Sequence, residues 1–229
     1  MMIDKVRNEL IQNVELKYKE FHEGIVPGKN DYLGVRIPVL REISKRIVLG
    51  NYNEIKKYIM TDSIYSEERM IKGLIIGYLK EGKEEIKSLL FEYAKQINSW
   101  AICDSVSTSL KIIKKNNEYF IDLIEWLLGS EEEYKIRFGI VLMLNHYVNE
   151  KYIDYVIDKI NNKYLDCYYV NMAISWLICE CYIKFKDKTM RVFDFNIDRK
   201  IINKAISKIH DSYRVTKEEK EYLKKYRRY

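Results

Sequence analysis

The sequence predicts an all-α chain, a right-handed stack of antiparallel helix pairs. Three observations carry this. Apolar residues recur at spacings of three and four from end to end, the period of an amphipathic helix. Only two prolines and nine glycines punctuate 229 residues. That is too few turn formers for an all-β sandwich or barrel, and no glycine-rich strand-to-helix turn of a dinucleotide or P-loop fold occurs. The strongest apolar helices begin near Tyr65, Ser99, Glu132 and Cys167, at intervals of about 34, 33 and 35 residues, one helix pair per interval.

The elements follow in order. Ile3, Val6, Leu10, Val14, Tyr18 and Phe21 predict a first helix over 2–22. A loop over 23–36 holds Pro27, Gly28 and Gly34. Pro38 opens the next helix, through Val48 and ending at Gly50, because a missing N–H costs nothing in a first turn. Asn51 and Asn53 are cap residues for a helix reaching about Met60. Further helices are predicted over 65–80, 83–96, 99–115, 117–128, 131–148, 150–161, 167–185, 197–209 and 216–227, separated by Gly82, Asn98, Gly129-Ser130, Asn149 and Asn161-Asn162. One pair cannot bury its apolar faces alone, so neighbours share a continuous core, as in HEAT and armadillo stacks. Equivalent helices of such a solenoid line one concave face. No linker rich in Pro, Gly or Ser interrupts the chain, so 1–229 reads as a single domain.

Hydrophobic residues make up 47% and charged residues 32%, enough apolar side chain for a sizeable core. The longest charge-free stretch, Cys167 to Cys179, spans 13 residues and contains Asn171 and Ser175, too short and polar to cross a membrane. Met1 to Lys5 lacks the apolar core of a secretory signal, which makes the cytoplasm the expected compartment. Forty basic against 34 acidic residues give a net charge of +6. Such an excess permits nucleic-acid binding without demanding it, and the codon bias of an AT-rich genome accounts for it equally well. Cys103, Cys167, Cys179 and Cys181 make no disulfide framework. Cys179 and Cys181 stand roughly 200° apart around a helix and cannot easily share a metal. With His22, His146 and His210 scattered, neither a metal site nor another cofactor is expected.

Chemistry-bearing residues converge on one pattern. Trp126, beside Ile124 and Leu127, is expected in the core. Trp100 and Asp104 stand at i and i+4, one turn apart on one helical face. An indole face beside a carboxylate suits a cationic substrate. Arg137 interrupts the apolar helix Tyr134 to Leu144, and Trp176 lies in Asn171 to Glu180. From Trp100 to Arg137 is 37 residues and from Arg137 to Trp176 is 39, close to one repeat each. Successive concave helices would then present Trp and Asp, then Arg, then Trp. On spacing alone, both indoles also read as core aromatics with Asp104 paired to a lysine, and that alternative stays open. The basic tail from Tyr213 reads as a solvated terminal helix or, alternatively, as a phosphate-contacting arm.

Four segments carry a family resemblance. Leu33-Gly-Val-Arg-Ile-Pro-Val-Leu-Arg41, Asn98-Ser-Trp-Ala-Ile-Cys-Asp-Ser105, Tyr134-Lys-Ile-Arg-Phe-Gly-Ile-Val141 and Ala173-Ile-Ser-Trp-Leu-Ile-Cys-Glu180 resemble, in order and spacing, the signatures of AlkD-type DNA alkylation repair proteins. The resemblance spans roughly residues 25–185 and implies a HEAT-like all-α stack with a concave DNA-binding face. It also implies a glycosylase that hydrolyses the N-glycosidic bond of cationic 3-methyladenine and 7-methylguanine in duplex DNA, without cofactor and as a monomer at the nucleoid. Asp104 matches the catalytic aspartate, Trp100 and Trp176 the aromatic pair, and Arg137 the DNA-contacting arginine. Ser175 stands where the family has Gly, Cys179 where it has Arg, and Ile25-Val26 where many members have Tyr-Met.

The implied roles fit the chemistry. A cationic purine is already a good leaving group, so the developing positive charge on the sugar is what needs stabilising. A carboxylate does this and orients water, indole faces favour the same charge, and a guanidinium grips phosphate. Handling the lesion from the backbone side, without a flipped-base pocket, predicts weak activity on neutral adducts. Arg69, Lys72, Lys111, Lys114, Lys115 and Lys184 are candidate phosphate contacts. The rival functions are a non-catalytic HEAT-like module for damaged or branched DNA and a helical scaffold for proteins.

Overall fold

Helical periodicity is realised along the chain. The computed structural model describes residues 1–26, 31–162 and 164–229, so Pro27 and Gly28 of the predicted first loop lie outside the described residues. Two compact units, Met1–Asn116 and Asn117–Tyr229, divide the chain. The first holds α1 (Met2–Gln12), α2 (Leu16–Ile25), α3 (Ile37–Ile47), α4 (Tyr52–Met60), α5 (Ser66–Tyr78), α6 (Lys83–Ala94), α7 (Trp100–Ser107) and α8 (Lys111–Lys115). The second begins with a 3-10 turn at Asn117–Phe120. It continues through α9 (Ile121–Leu128), α10 (Glu133–His146), α11 (Ile153–Ile160), α12 (Tyr168–Lys184), α13 (Lys186–Thr189), α14 (Arg199–Asp211) and α15 (Lys217–Leu223). No strand occurs among the described residues.

Within each unit the helices form two rows, the arrangement of HEAT-like pairs. In the first, α5 packs between α3 and α7, with α1, α4 and α6 behind. In the second, α12 packs between α10 and α14, with α9, α11 and α13 behind and α15 against α14. Side-chain bonds join neighbouring helices of each row: Ser44 Oγ of α3 donates to Ile71 O of α5 at 3.5 Å, and Ser175 Oγ of α12 donates to Ile201 O of α14 at 3.0 Å. The central helix of each unit is deeply buried. Ile71, Leu74, Ile75 and Ile76 of α5 are fully buried, as are Val170, Ala173 and Ile178 of α12.

Glycines set the closest approach. A Cβ built on Gly73 would lie 2.5 Å from Val106 Cγ2 and 2.6 Å from Tyr93 Cζ, and one on Gly77 would lie 2.7 Å from Ser109 Cβ. Their i, i+4 spacing clears one face of α5 for Tyr93 of α6, Val106 of α7 and Ser109 just beyond α7.

Three expectations are corrected. The helix predicted over 2–22 breaks after Gln12. Asn13 turns its amide onto Glu9 O at 2.8 Å, and extended Glu15 donates its N–H to Gly34 O at 3.1 Å. The helix predicted over 99–115 breaks at 108–110. There Ser107, Thr108 and Ser109 each bond the carbonyl three residues back, at 3.0, 2.8 and 2.7 Å, and compete with the helical ladder. Trp126 is 40% exposed, because the buried face of α9 is Leu123, Ile124, Leu127 and Leu128; its ring lies 5.7 Å from the Lys135 ammonium. The tail forms the expected terminal helix, mostly exposed. Thr216 and Glu219 form a capping box on α15, and Arg228 donates to the carbonyls of Phe193 at 2.9 Å, Phe195 at 2.6 Å and Ile197.

Gly73→Ala is expected to destabilise the protein by about 1–3 kcal/mol, the usual cost of overpacking. Gly24→Ala, where an added Cβ meets nothing within 4 Å, should leave stability unchanged or slightly raised. Thermal unfolding of the two variants checks both.

Candidate functional site

The helix carrying Trp100 and Asp104 is eight residues long, too short to persist by itself. Its inner face buries Ala101, Ile102, Cys103 and Val106, leaving Trp100 and Asp104 half-buried on the outer edge. Both ends are fixed from elsewhere. At the N-terminus, Ser99 Oγ accepts from Ile102 N at 3.4 Å and shares a 2.9 Å hydrogen bond with Tyr32 Oη, while Asn98 Nδ2 donates to Asp31 at 3.2 Å. At the C-terminus, Arg41 reaches Ser105 O and Thr108 Oγ1, both at 3.4 Å, and donates to Tyr78 Oη at 2.9 Å.

The segment supplying this clamp is itself pinned by a buried carboxylate. Glu67, 3% exposed, accepts the backbone N–H groups of Leu33, Gly34 and Val35 at 3.1, 2.8 and 3.2 Å. Three successive amides around one anion form a nest. Gly34 has φ +98°, and a Cβ there would lie 2.7 Å from Lys19 Cβ and 2.9 Å from Glu15 O, so only glycine fits. Arg36 bonds Glu15 at 2.8 Å and lies 4.9 Å above the Tyr18 ring. The Leu33 to Arg41 signature is therefore a device for joining helices. Sequence reading missed Glu67, Asp31 and Tyr32; the available signal was an acidic pair, Glu67-Glu68, opening a strongly apolar helix.

Two expected phosphate contacts are corrected. Arg69 is half-buried and committed to Asp31 at 2.6 Å and Ser63 O at 2.8 Å. Lys72 is 0% exposed: its ammonium donates to Thr61 O and, at 3.3 Å, to Gln96 Oε1, and lies 5.3 Å from the Tyr58 ring. A buried ammonium three residues after Arg69 is occupied by the protein itself and presents nothing to a backbone phosphate. Lys111, Lys114, Lys115 and Lys184 are exposed.

In the second unit Arg137 and Trp176 stand on neighbouring helices. Arg137, 5% exposed, donates to Tyr169 O at 2.8 Å, and Glu133 accepts Tyr169 N at 2.8 Å, so α10 holds the first turn of α12 at two points. That bond uses the Arg137 fork inside the protein, where the resemblance implied a DNA contact. Trp176 is half-buried on the stripe of α12 that also carries Tyr168 and Met172. Cys179 is buried, with Lys208 and Arg214 nearby. Burial pushes its thiol up to about 11 and that of Cys181 up to about 12, so neither offers a thiolate near neutrality. Among the described residues, no group of three His, Cys, Asp or Glu side chains could hold a metal ion, and no helix is long and apolar enough to cross a membrane.

A family described as DNA alkylation repair enzyme matches residues 6–195, covering the Leu33 to Arg41 segment and the helices of Asp104, Arg137 and Trp176. No curated protein and no solved structure gives a significant match.

Two measurements test the scaffold. Asp31→Ala removes the shared acceptor of Arg69, Ser66 and Asn98, and is expected to cost about 2 kcal/mol or more, with coupling above about 0.5 kcal/mol to Asn98→Ala in a double-mutant cycle. Burial lowers the Lys72 pKa to about 8 from 10.5. Between those values the unfolded chain binds the extra proton, so unfolding free energy rises with pH across that window. Wild-type protein should gain up to about 3 kcal/mol relative to Lys72→Met between pH 8 and 10.5, read from denaturant titrations.

Proposed function

The chain belongs to the family of DNA alkylation repair enzymes, and on that premise we propose that it is a metal-independent glycosylase releasing cationic alkylated purines from duplex DNA. The observation that carries this is the pairing of Trp100 and Asp104 on the outer edge of a helix fixed at both ends. It acts as a monomer, in the cytoplasm, on nucleoid DNA.

The reaction follows from charge. In 3-methyladenine or 7-methylguanine the ring carries a positive charge. Breaking the C1′–N bond sends the electron pair to the base, which leaves neutral, and the positive charge passes to the sugar. The Asp104 carboxylate stabilises that oxocarbenium-like centre and orients a water molecule, whose oxygen bonds C1′ and whose proton passes to the carboxylate or to solvent. The products are free base and an abasic site. The Trp100 face favours the same developing charge. In the second unit Trp176 packs on sugar and backbone, and Arg137 acts through the first turn of α12. Lys111, Lys114, Lys115 and Lys184 contact phosphate.

A second reading, a DNA-binding module without excision, is favoured by Cys179 in place of an arginine and by the inward-facing bond of Arg137. Incubation with duplex containing 7-methylguanine separates the two. Release of free base is expected, falling about 100-fold or more in Asp104→Asn while duplex affinity holds. Binding with no release by wild-type protein would establish the second reading. A neutral adduct such as 1,N6-ethenoadenine should be released poorly, since the leaving group then lacks its charge.

A further inference from the structure

The family match ends at residue 195, before α14 (Arg199–Asp211). Ile201, Ile202, Ala205, Ile206 and Ile209 form the buried side of this helix, against α12. Lys200, Lys204 and Lys208 stand at i, i+4 and i+8 on its outer side, with about 6 Å of axial rise between neighbours. Lys200 and Lys204 are exposed and Lys208 is half-buried.

These three lysines differ from several other cations of their unit. Lys186, Lys188, Arg191 and Arg214 each have a carboxylate partner: Glu219 at 2.7 Å, Asp154 at 2.6 Å, Asp158 at 3.2 Å and Glu180 at 2.6 Å. Among the described residues no ion pair involves Lys200, Lys204 or Lys208. Three neighbouring acids are engaged elsewhere: Asp198 caps α14 by accepting Lys200 N at 2.6 Å, Glu180 holds Arg214, and Asp166 holds Asn171 Nδ2 at 2.7 Å. Asp211, one turn beyond Lys208, attracts its charge without an ion pair. Burial lowers the Lys208 pKa, and the positive charges of Lys204 and, more weakly, Arg137 add to this. Like charges crowded without an ion-pair partner favour an anionic partner.

The stripe also borders a shaped surface. A groove of about 250 Å³ runs between α12 and α14, lined by Tyr168, Asn171, Met172, Ser175, Lys200 and Lys204. Its α12 wall belongs to the stripe that carries Trp176. An aromatic and thioether floor beside two ammonium groups suits a sugar-phosphate backbone, with ribose or deoxyribose on the ring and phosphate on the amines. We propose that Lys200, Lys204 and Lys208 bind the phosphates of duplex DNA, extending the DNA-contacting surface of the second unit one helix beyond the family-matched residues. The choice of DNA among polyanions rests on the function proposed above.

The test compares wild-type protein with Lys200→Gln/Lys204→Gln/Lys208→Gln on an undamaged duplex across a salt series. Each lysine in contact with a phosphate contributes about 0.9 to the slope of log K against log salt. The triple variant should bind roughly tenfold or more weakly at low salt, with a slope shallower by about 2 or more. Its thermal midpoint should not change, because no side-chain bond within the described residues is lost. Lys188→Gln/Arg191→Gln, which removes cations already paired, should leave the slope unchanged. Equal affinity and slope for wild type and triple variant would overturn the inference, as would a wild-type protein that does not bind duplex. Base release is scored separately. Release by wild type with an unchanged slope overturns this inference and keeps the glycosylase; loss of slope with no release by wild type does the reverse.

Discussion

The carboxylate of Glu67 is the constraint on which the first unit depends. An anion removed from water is costly unless its oxygens are satisfied. Here three consecutive amides satisfy them, and the same three amides would otherwise be buried donors without partners. The requirement is mutual, so loop and helix fix one another. Once Leu33, Gly34 and Val35 are held on the first turn of α5, the residues on either side have few places left to go. Asp31 and Tyr32 meet Asn98 and Ser99 at the start of α7. Arg36 meets Glu15, and Arg41 reaches across to the end of α7. The outer edge of that short helix therefore inherits its position from a buried acid more than thirty residues away in sequence.

Charge in this chain is informative by location rather than by total. A net +6 could reflect codon bias or a polyanionic partner, and composition alone does not choose. The folded chain sorts its cations. Lys72, Arg69, Arg137 and Arg228 are used internally, bonding carbonyls or a half-buried aspartate. Many surface cations are paired with carboxylates, pairs that contribute little to stability when exposed but do neutralise the surface. Against that background Lys200, Lys204 and Lys208 form a regular unpaired stripe on one helix, which is the basis for the phosphate contacts proposed above.

Much of the fold was legible because helical periodicity survives in a single sequence, and so were the caps at Asn51 and the first-turn Pro38. The helix breaks were not. Asn13 and the Ser107-Thr108-Ser109 run act through local hydrogen bonds that periodicity does not register. Spacing placed Trp100 and Asp104 on one face, since i, i+4 is a property of the helix itself. It could not say which face of α9 points inward, so Trp126 was misassigned. It also could not distinguish a lysine that ends in solvent from one that ends on a carbonyl, because a long flexible stem permits both. Gly73 and Gly77 were overlooked for a related reason: their value lies in what packs against them, and that partner, α7, is distant in the chain.

The proposed chemistry explains why such a small element would be so heavily restrained. When the leaving base is already cationic, little is gained by tuning an acid or generating a strong nucleophile, and the buried cysteines supply no thiolate in any case. What remains to be provided is a negative charge and a π-face that do not have to reorganise as positive charge appears on the sugar. Electrostatic stabilisation of that kind is worth most when the groups are fixed before the reaction begins. A long helix can achieve this through its own packing. An eight-residue helix cannot, and fraying at either end would move Asp104 relative to Trp100. Tying Asn98 and Ser99 at one end and Ser105 and Thr108 at the other removes that freedom without placing any of the tethers on the outer edge itself. Its rigidity comes from tethers at both ends of the helix.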